Sequence, residues 1–497
     1  MNKNYEAYKT LLSKCADIGN ACALLNWDQE TYMPPKSAGF RGQQLSTLSQ
    51  LQHENFVNDE TGNLLEKLKD DSSLSADERK NVSLTLKDFL KAKKYSSEFV
   101  GKKSMAVSRA HGAWVKAREE NNFAGFENEL NEVVQLTREE AAMLGYKEHP
   151  YDALLDNYET GANTADLTVL FDDVKKNLVD FVKEISARKQ VSNDFLFRKF
   201  DKEKQWNFGI DLLKQMNYDF EAGRQDISAH PFTTNFSMHD VRVTTRVNEN
   251  DFHPMTWGCI HEGGHALYEQ GLLEENYGLP AGEATSLGIH ESQSRLWENL
   301  VGRSLGYWKG NYPKLQKTFS ESLSDVSLMD FYNGINQVKP TFIRTEADEL
   351  TYHFHVMIRF GIEKGLMDGS IAVKDLPEIW NTSYKNYLGI DVPDNARGVL
   401  QDIHWCHGSI GYFPTYSLGS FYSVQFFDQA KKEIPNLEMQ IEKGELLPLL
   451  NWLREKIHRF GRLKSAEELC VDITGEKLNF SHFMNYAKKK FGEIYSI

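Results

Sequence analysis

Residues 253–271 read HPMTWGCIHEGGHALYEQG. Proline at the second position suits a first helical turn, where no amide donor is needed, and Asp251 or His253 can precede the helix. On a helix His261 and His265 leave the same face and can converge on one ion. Glu262, one residue on from His261, points to the flank of that ion. A base must sit there to take a proton from a water activated at the metal. Gly263 and Gly264 each cost about 1 kcal/mol relative to alanine inside a helix. That cost brings nothing unless a substrate or another backbone approaches closely. The stretch predicts a zinc site rather than a chance H-E-x-x-H on a core helix.

A catalytic zinc takes three protein ligands and keeps an open position. TSLGIHESQSRLWENL, residues 285–300, begins 20 residues after His265. It carries Glu291 on a predicted helix capped by Thr285 or Ser286, with Leu287 and Leu296 nearby. A lone carboxylate on a partly apolar face is costly, and a metal removes the cost. Glu283 and Glu298 are rivals for the ligand role, and neither has the flanking histidine of Glu291.

Outward from this core the chain reads as mostly helical. Leu11, Leu12, Cys15, Ile18, Cys22 and Leu25 recur at three- and four-residue steps, and the pattern stops at Pro34 and Pro35. Helical patterns resume over 42–51, 77–94, 104–120, 126–144 and 166–189, with Asp166 as N-cap of the last. Residues 230–247, HPFTTNFSMHDVRVTTRV, alternate across Val241, Val243 and Thr245 and predict a short β-hairpin. Helices return from Pro254, broken at Pro280, Pro340, Pro393 and Pro414. No repeat or long linker divides the chain. Residues 1–497 are expected to form one unit, mainly α with a small β insertion near 230–247, with room for two lobes around a groove.

With 40% hydrophobic and 26% charged residues among 497, the composition is that of a globular protein. Lys plus Arg number 57 against 71 Asp plus Glu, a net charge of −14. This excludes sequence-independent nucleic-acid binding, which needs a basic surface. A substrate with an anionic end then needs a local cation to receive it. No window approaches the roughly 20 apolar residues of a membrane span, and MNKNYEAYKTLLSKC contains no signal-peptide stretch. Cys15, Cys22, Cys259, Cys406 and Cys470 show no C-x-x-C spacing. They are expected to be buried, reduced thiols in a cytoplasmic protein.

Several separated motifs carry a family resemblance over nearly the whole length: WDQETYMPP from Trp27, HPF from His230, DVRVTTR from Asp240, HEGGH from His261, HESQS from His290, IRTEAD from Ile343, GVLQDIHW from Gly398 and GYFPTYSLG from Gly411. In these the chain resembles the carboxypeptidase Taq family of zinc metallocarboxypeptidases. The resemblance implies a mostly helical fold with a deep groove, similar to neurolysin and angiotensin-converting enzyme. It also implies a homodimer, a zinc or cobalt cofactor, and release of single C-terminal residues from peptides with broad specificity.

A carboxypeptidase must receive a terminal carboxylate, and the planar fork of arginine suits it. By resemblance Arg344 is the first candidate. Asp348, four residues on, can hold it if the segment is helical. Arg242 is the second candidate, and can instead pair with Asp240 or line the groove. A donor is also needed for the oxyanion. Tyr416 comes first, Tyr412 second, and His407 lies in the same run. Gln401, Asp402 and His404 can line the cleft or support it from behind, with His404 the candidate for direct substrate contact. The expected reaction is hydrolysis, with Glu262 moving the proton from water to the leaving amine. Two other readings fit the metal motif: an oligopeptidase or dipeptidase of the same helical class, and a metal-stabilised helical binding protein without turnover.

Overall fold

The first helical pattern extends beyond its apolar repeat. Lys3–Thr31 is one helix, begun by Asn2, whose side chain accepts from the amides of Asn4 and Tyr5. The computed structural model describes residues 2–228 and 230–497. The fold is mainly α-helical with one small sheet. Among the described residues no helix is long and apolar enough to cross a membrane. Two compact units divide the chain. The first comprises Met1–Lys93, Ser192–Ile335 and Tyr422–Leu478, and the second Lys94–Val191, Asn336–Phe421 and Asn479–Ile497.

Helices over Ala38–Phe56, Ala76–Ala92, Ser97–Glu119, Ala124–Leu144 and Thr164–Ser186 match the predicted patterns. The cap of the last is different: Asn163, not Asp166, is the N-cap, and its side-chain oxygen accepts from the Asp166 amide at 2.8 Å. Asp166 lies within the first turn, where its charge still favours the positive end of the helix.

In the first unit, β2 (Thr233–Ser237) and β3 (Asp240–Thr245) form the predicted hairpin, with a bulge between Asn235 and Ser237. A further strand, β1 (Gly223–Ile227), pairs parallel with β3 from Gly223 opposite Val241 to Ile227 opposite Thr245. GRQDI has no apolar alternation, and its buried members are the polar Gln225 and Asp226. Nothing in the local pattern marked it as a strand. The sheet packs on the His253–Glu269 helix, where Thr245 Oγ1 meets Met255 Sδ at 3.2 Å.

That helix in turn meets Leu287–Arg295, which is capped by Ser286 through the Ile289 amide at 3.1 Å. Gly264 permits the approach: a Cβ there would stand 2.7 Å from Ser294 Cα and 2.9 Å from Gln293 O. One of the two costly glycines thus marks a backbone contact, as a close approach requires. Leu287–Arg295 continues into a π-helical turn over Leu296–Val301, a winding that is frequent at functional sites.

In the second unit, the Tyr352–Asp368 helix is buried on nearly every side. Its polar members His355, Arg359 and Glu363 are fully buried at four-residue steps, so each must find partners inside the protein. Arg344–Glu346 forms only a single 3₁₀ turn ahead of it.

Candidate metal centre and substrate residues

The helix contact at Gly264 brings Glu291 to the two histidines. One ligand atom each from His261, His265 and Glu291 lies within 4.8 Å of the others, a set that could hold a metal ion. Glu291 Oε2 stands 3.7 Å from His261 Nε2 and 3.4 Å from His265 Nε2. The other oxygen, Oε1, accepts from Arg295 Nε at 2.6 Å.

The protons on the histidines follow from their outer partners. His261 Nδ1 is 3.0 Å from Glu298 Oε2. A carboxylate only accepts, so Nδ1 carries the proton and the Nε2 of a neutral ring keeps its lone pair. His290 Nε2 likewise donates to Glu269 Oε1 at 2.8 Å. Its Nδ1 then accepts from His265 Nδ1, and His265 Nε2 also keeps a lone pair. Glu269 is held from the other side by Asn235 Nδ2 at 2.7 Å. Three electron-pair donors therefore face one another, and they repel unless a cation or proton sits among them. The donor set suits a divalent ion.

Burial opposes the charged form of His261, but the Glu291 charge and the Glu298 hydrogen bond outweigh it and raise its pKa. His265 is pushed down to about 3, chiefly by burial. Burial also works against ionised Glu291 and Glu298, yet Arg295 and the histidines hold both well below the usual carboxylate range. Protons and a metal compete for the same lone pairs.

Glu262 is 7% exposed, and burial raises its pKa above the ordinary glutamate value. Thr233 Oγ1 lies 2.6 Å from its Oε2 and 2.9 Å from its backbone oxygen. Sequence reasoning missed Thr233, because a threonine in a strand carries no chemical signal. It weighed Glu298 only as a ligand, whereas Glu298 supports His261 from behind. The seven-residue step from Glu291, two helical turns, was the available clue.

The second unit gathers most of the other predicted residues. Arg344 is 7% exposed and meets Asp402 Oδ1 through Nε at 3.0 Å and Nη2 at 2.9 Å. Its Nη1 donates to Tyr352 OH at 3.0 Å. The expected pair with Asp348 does not form. After the 3₁₀ turn, Ala347 is extended, so the four-residue helical step is lost. Asp348 instead accepts from the Lys339, Leu350 and Thr351 amides. The Arg344 guanidinium lies 4.9 Å from the Tyr416 ring centre. Tyr416 OH is 3.2 Å from His404 Nε2, and Tyr412 packs on both rings. Burial and Arg344 push His404 down to about 3, so it is neutral. His407 is exposed and stacked on His111 at 5.5 Å, near enough to His404 to act on its charge. In the first unit, Arg242 is paired with Asp240 at 2.8 Å and 2.9 Å and lies over Trp27 at 4.5 Å.

Known proteins share this arrangement of sequence and fold. A model of the carboxypeptidase Taq (M32) metallopeptidase family matches residues 7–491. The chain is 39% identical over 507 residues to thermostable carboxypeptidase 1 of Thermus thermophilus, covering 98% of this chain and 99% of that one. The solved structure of a protein called CHT is 57% identical with a TM-score of 0.96, covering 99% of each chain. The M32 carboxypeptidase from Deinococcus radiodurans R1 is 36% identical with a TM-score of 0.97, covering 100% of each chain. The chain therefore belongs to the carboxypeptidase Taq (M32) family, and it is a metallocarboxypeptidase.

Proposed function

We propose that the chain removes single C-terminal residues from peptides with broad side-chain preference, using zinc held by His261, His265 and Glu291. Cobalt is the alternative occupant, since the same donors suit it. The observation that carries the reading is the convergence of one ligand atom each from His261, His265 and Glu291 within 4.8 Å. Bound there, the ion supplies Lewis acidity to a water and to the scissile carbonyl. Glu262 takes the proton of the attacking water and passes it to the leaving amine. Thr233 holds one of its oxygens and so orients the other. Tyr416, with Tyr412 the second choice, donates to the oxyanion. Arg344 receives the terminal carboxylate. Three of its five guanidinium N–H groups are engaged, by Asp402 and Tyr352, and two have no hydrogen-bond partner among the described residues. We also propose a cytoplasmic location, which suits five buried cysteines, and, by family resemblance, a homodimer.

The test is a Glu262→Gln variant on a ladder of peptides, read by mass spectrometry together with zinc content. Native protein should shed one C-terminal residue at a time, and chelator should stop it. The variant should keep stoichiometric zinc and lose activity by about 10²–10⁴-fold. Hydrolysis at the native rate would remove Glu262 from the base role. Equal cleavage of C-terminally amidated peptides would favour an oligopeptidase instead.

A further inference from the structure

Arg344 is not alone with Asp402. Each oxygen of Asp402 is taken by a different arginine: Oδ1 by Arg344, and Oδ2 by Nε of Arg359 at 2.6 Å, with Arg359 Nη2 against the same atom. Arg359 is fully buried, stacks at 4.5 Å on Trp380, and turns Nη1 to the His355 carbonyl and to Tyr384 OH. It has no exposed atom with which to touch a substrate. Asp402 is held well below the usual carboxylate range; burial works against its charge, and the two arginines outweigh burial. It is therefore ionised, and the triad holds two positive charges and one negative.

If Arg344 and Asp402 were alone, the pair would be neutral, and an arriving carboxylate would meet as much repulsion as attraction. With Arg359 on the far side of Asp402, one positive charge remains uncompensated. Glu363, one turn on from Arg359, does not cancel it by contact. Its oxygens accept from Tyr151 OH at 2.6 Å, the Gly411 amide at 3.0 Å and Trp405 Nε1 at 2.9 Å, and burial raises its pKa to about 7 although Arg359 opposes the rise, so below pH 7 it is mostly protonated and leaves the charge in place. His404, beside Arg344, is neutral. A buried cation without its full complement of anions is costly, and a ligand carboxylate is the natural complement.

We propose that Arg359 is a specificity-determining positioning residue: by sharing Asp402 with Arg344 it leaves a net positive charge on the buried triad, and that charge makes the enzyme select peptides with a free C-terminal carboxylate. The inference rests on Arg344 as the carboxylate receptor. It assigns selectivity to a residue that reaches substrate only through Asp402 and Arg344.

The experiment compares an N-blocked tripeptide as free acid and as C-terminal amide, with kcat and KM measured for zinc-loaded enzyme about one pH unit below the Glu363 pKa of about 7. Arg359→Met should raise the free-acid KM about tenfold or more while kcat stays within about threefold and the amide is unaffected. Arg359→Lys, which keeps the charge, should retain most of the acid-over-amide preference. The double variant Arg359→Met/Asp402→Asn removes one charge of each sign, so it should regain preference lost in Arg359→Met. A merely structural role predicts a double variant worse than the single one. An unchanged acid-to-amide ratio in Arg359→Met, or a folded double variant without preference, overturns the inference. If Arg359→Met does not fold, the lysine and double variants decide on the same criteria. Arg344→Met separates the two layers. If it keeps the preference, Arg344 is not the receptor. If it loses preference while Arg359→Met keeps it, only the role of Arg359 falls.

Discussion

His265 has two ring nitrogens, and its partner decides which one is available. With His290 Nε2 donating to Glu269, the Nδ1 of a neutral His290 ring accepts, and His265 Nδ1 is the donor to it. The relay from His265 through His290 and Glu269 to Asn235 thus leaves the Nε2 lone pair on the side shared with Glu291, where an ion can take it. Such outer partners typically change metal affinity by about 10–100-fold when removed. His290→Ala should weaken zinc binding by that order in chelator competition, with the helical circular dichroism unchanged. Zinc affinity equal to that of the native protein would mean the relay does not orient the ligand. Glu298 plays the matching part for His261, and Glu298→Gln should weaken zinc binding for the same reason.

At the scale of elements, the site depends on how closely two helices pack. Gly264 faces Ser294 Cα and Gln293 O, both backbone atoms that cannot swing away, whereas Gly258 on the same helix would meet only Pro231 Cγ at 3.8 Å and Thr245 Oγ1 at 3.9 Å. The two glycines should respond oppositely to alanine. Gly264→Ala should destabilise by about 1–3 kcal/mol through overpacking and weaken zinc binding, because it pushes Glu291 off the histidines. Gly258→Ala should stabilise by roughly 0.5–1 kcal/mol, the ordinary gain in a helix. Denaturant midpoints and zinc affinity measured on both variants check the pair. The same contrast explains what was legible beforehand. Local patterns such as the i, i+4 histidines, the Pro254 start and the alternation over Val241–Thr245 depend on neighbours in sequence, and these were readable. The parallel strand β1, the Asp402 partner of Arg344 and the turn of Glu298 toward His261 depend on residues brought from elsewhere. In GRQDI and IRTEAD the local pattern was silent or misleading, since polar residues are buried in one and a helix was assumed in the other.

For the whole molecule, buried carboxyls couple stability to pH. Few of the 71 acidic residues behind the −14 charge are buried among the described residues, as is usual for carboxylates. Glu363 is different: burial raises its pKa from 4.5 to about 7. The sign of its effect follows from proton counting. Below pH 4.5 Glu363 is protonated in both states and contributes no slope. Between 4.5 and about 7 the folded state keeps a proton that the unfolded chain has released, so stability falls as pH rises. Above 7 both states are ionised and the loss levels off, at about 3 kcal/mol. Glu363→Gln cannot titrate. It forfeits part of the hydrogen bonding to Tyr151, Gly411 and Trp405 at every pH, because an amide nitrogen cannot accept from those donors. The variant should therefore be the less stable protein at pH 5, and its deficit should shrink by up to about 3 kcal/mol by pH 8. Urea unfolding of both proteins at the two pH values measures the change directly. Two stability curves that stay parallel from pH 5 to 8 would show that Glu363 titrates like an ordinary surface glutamate, and that its three donors offset the cost of burying its charge.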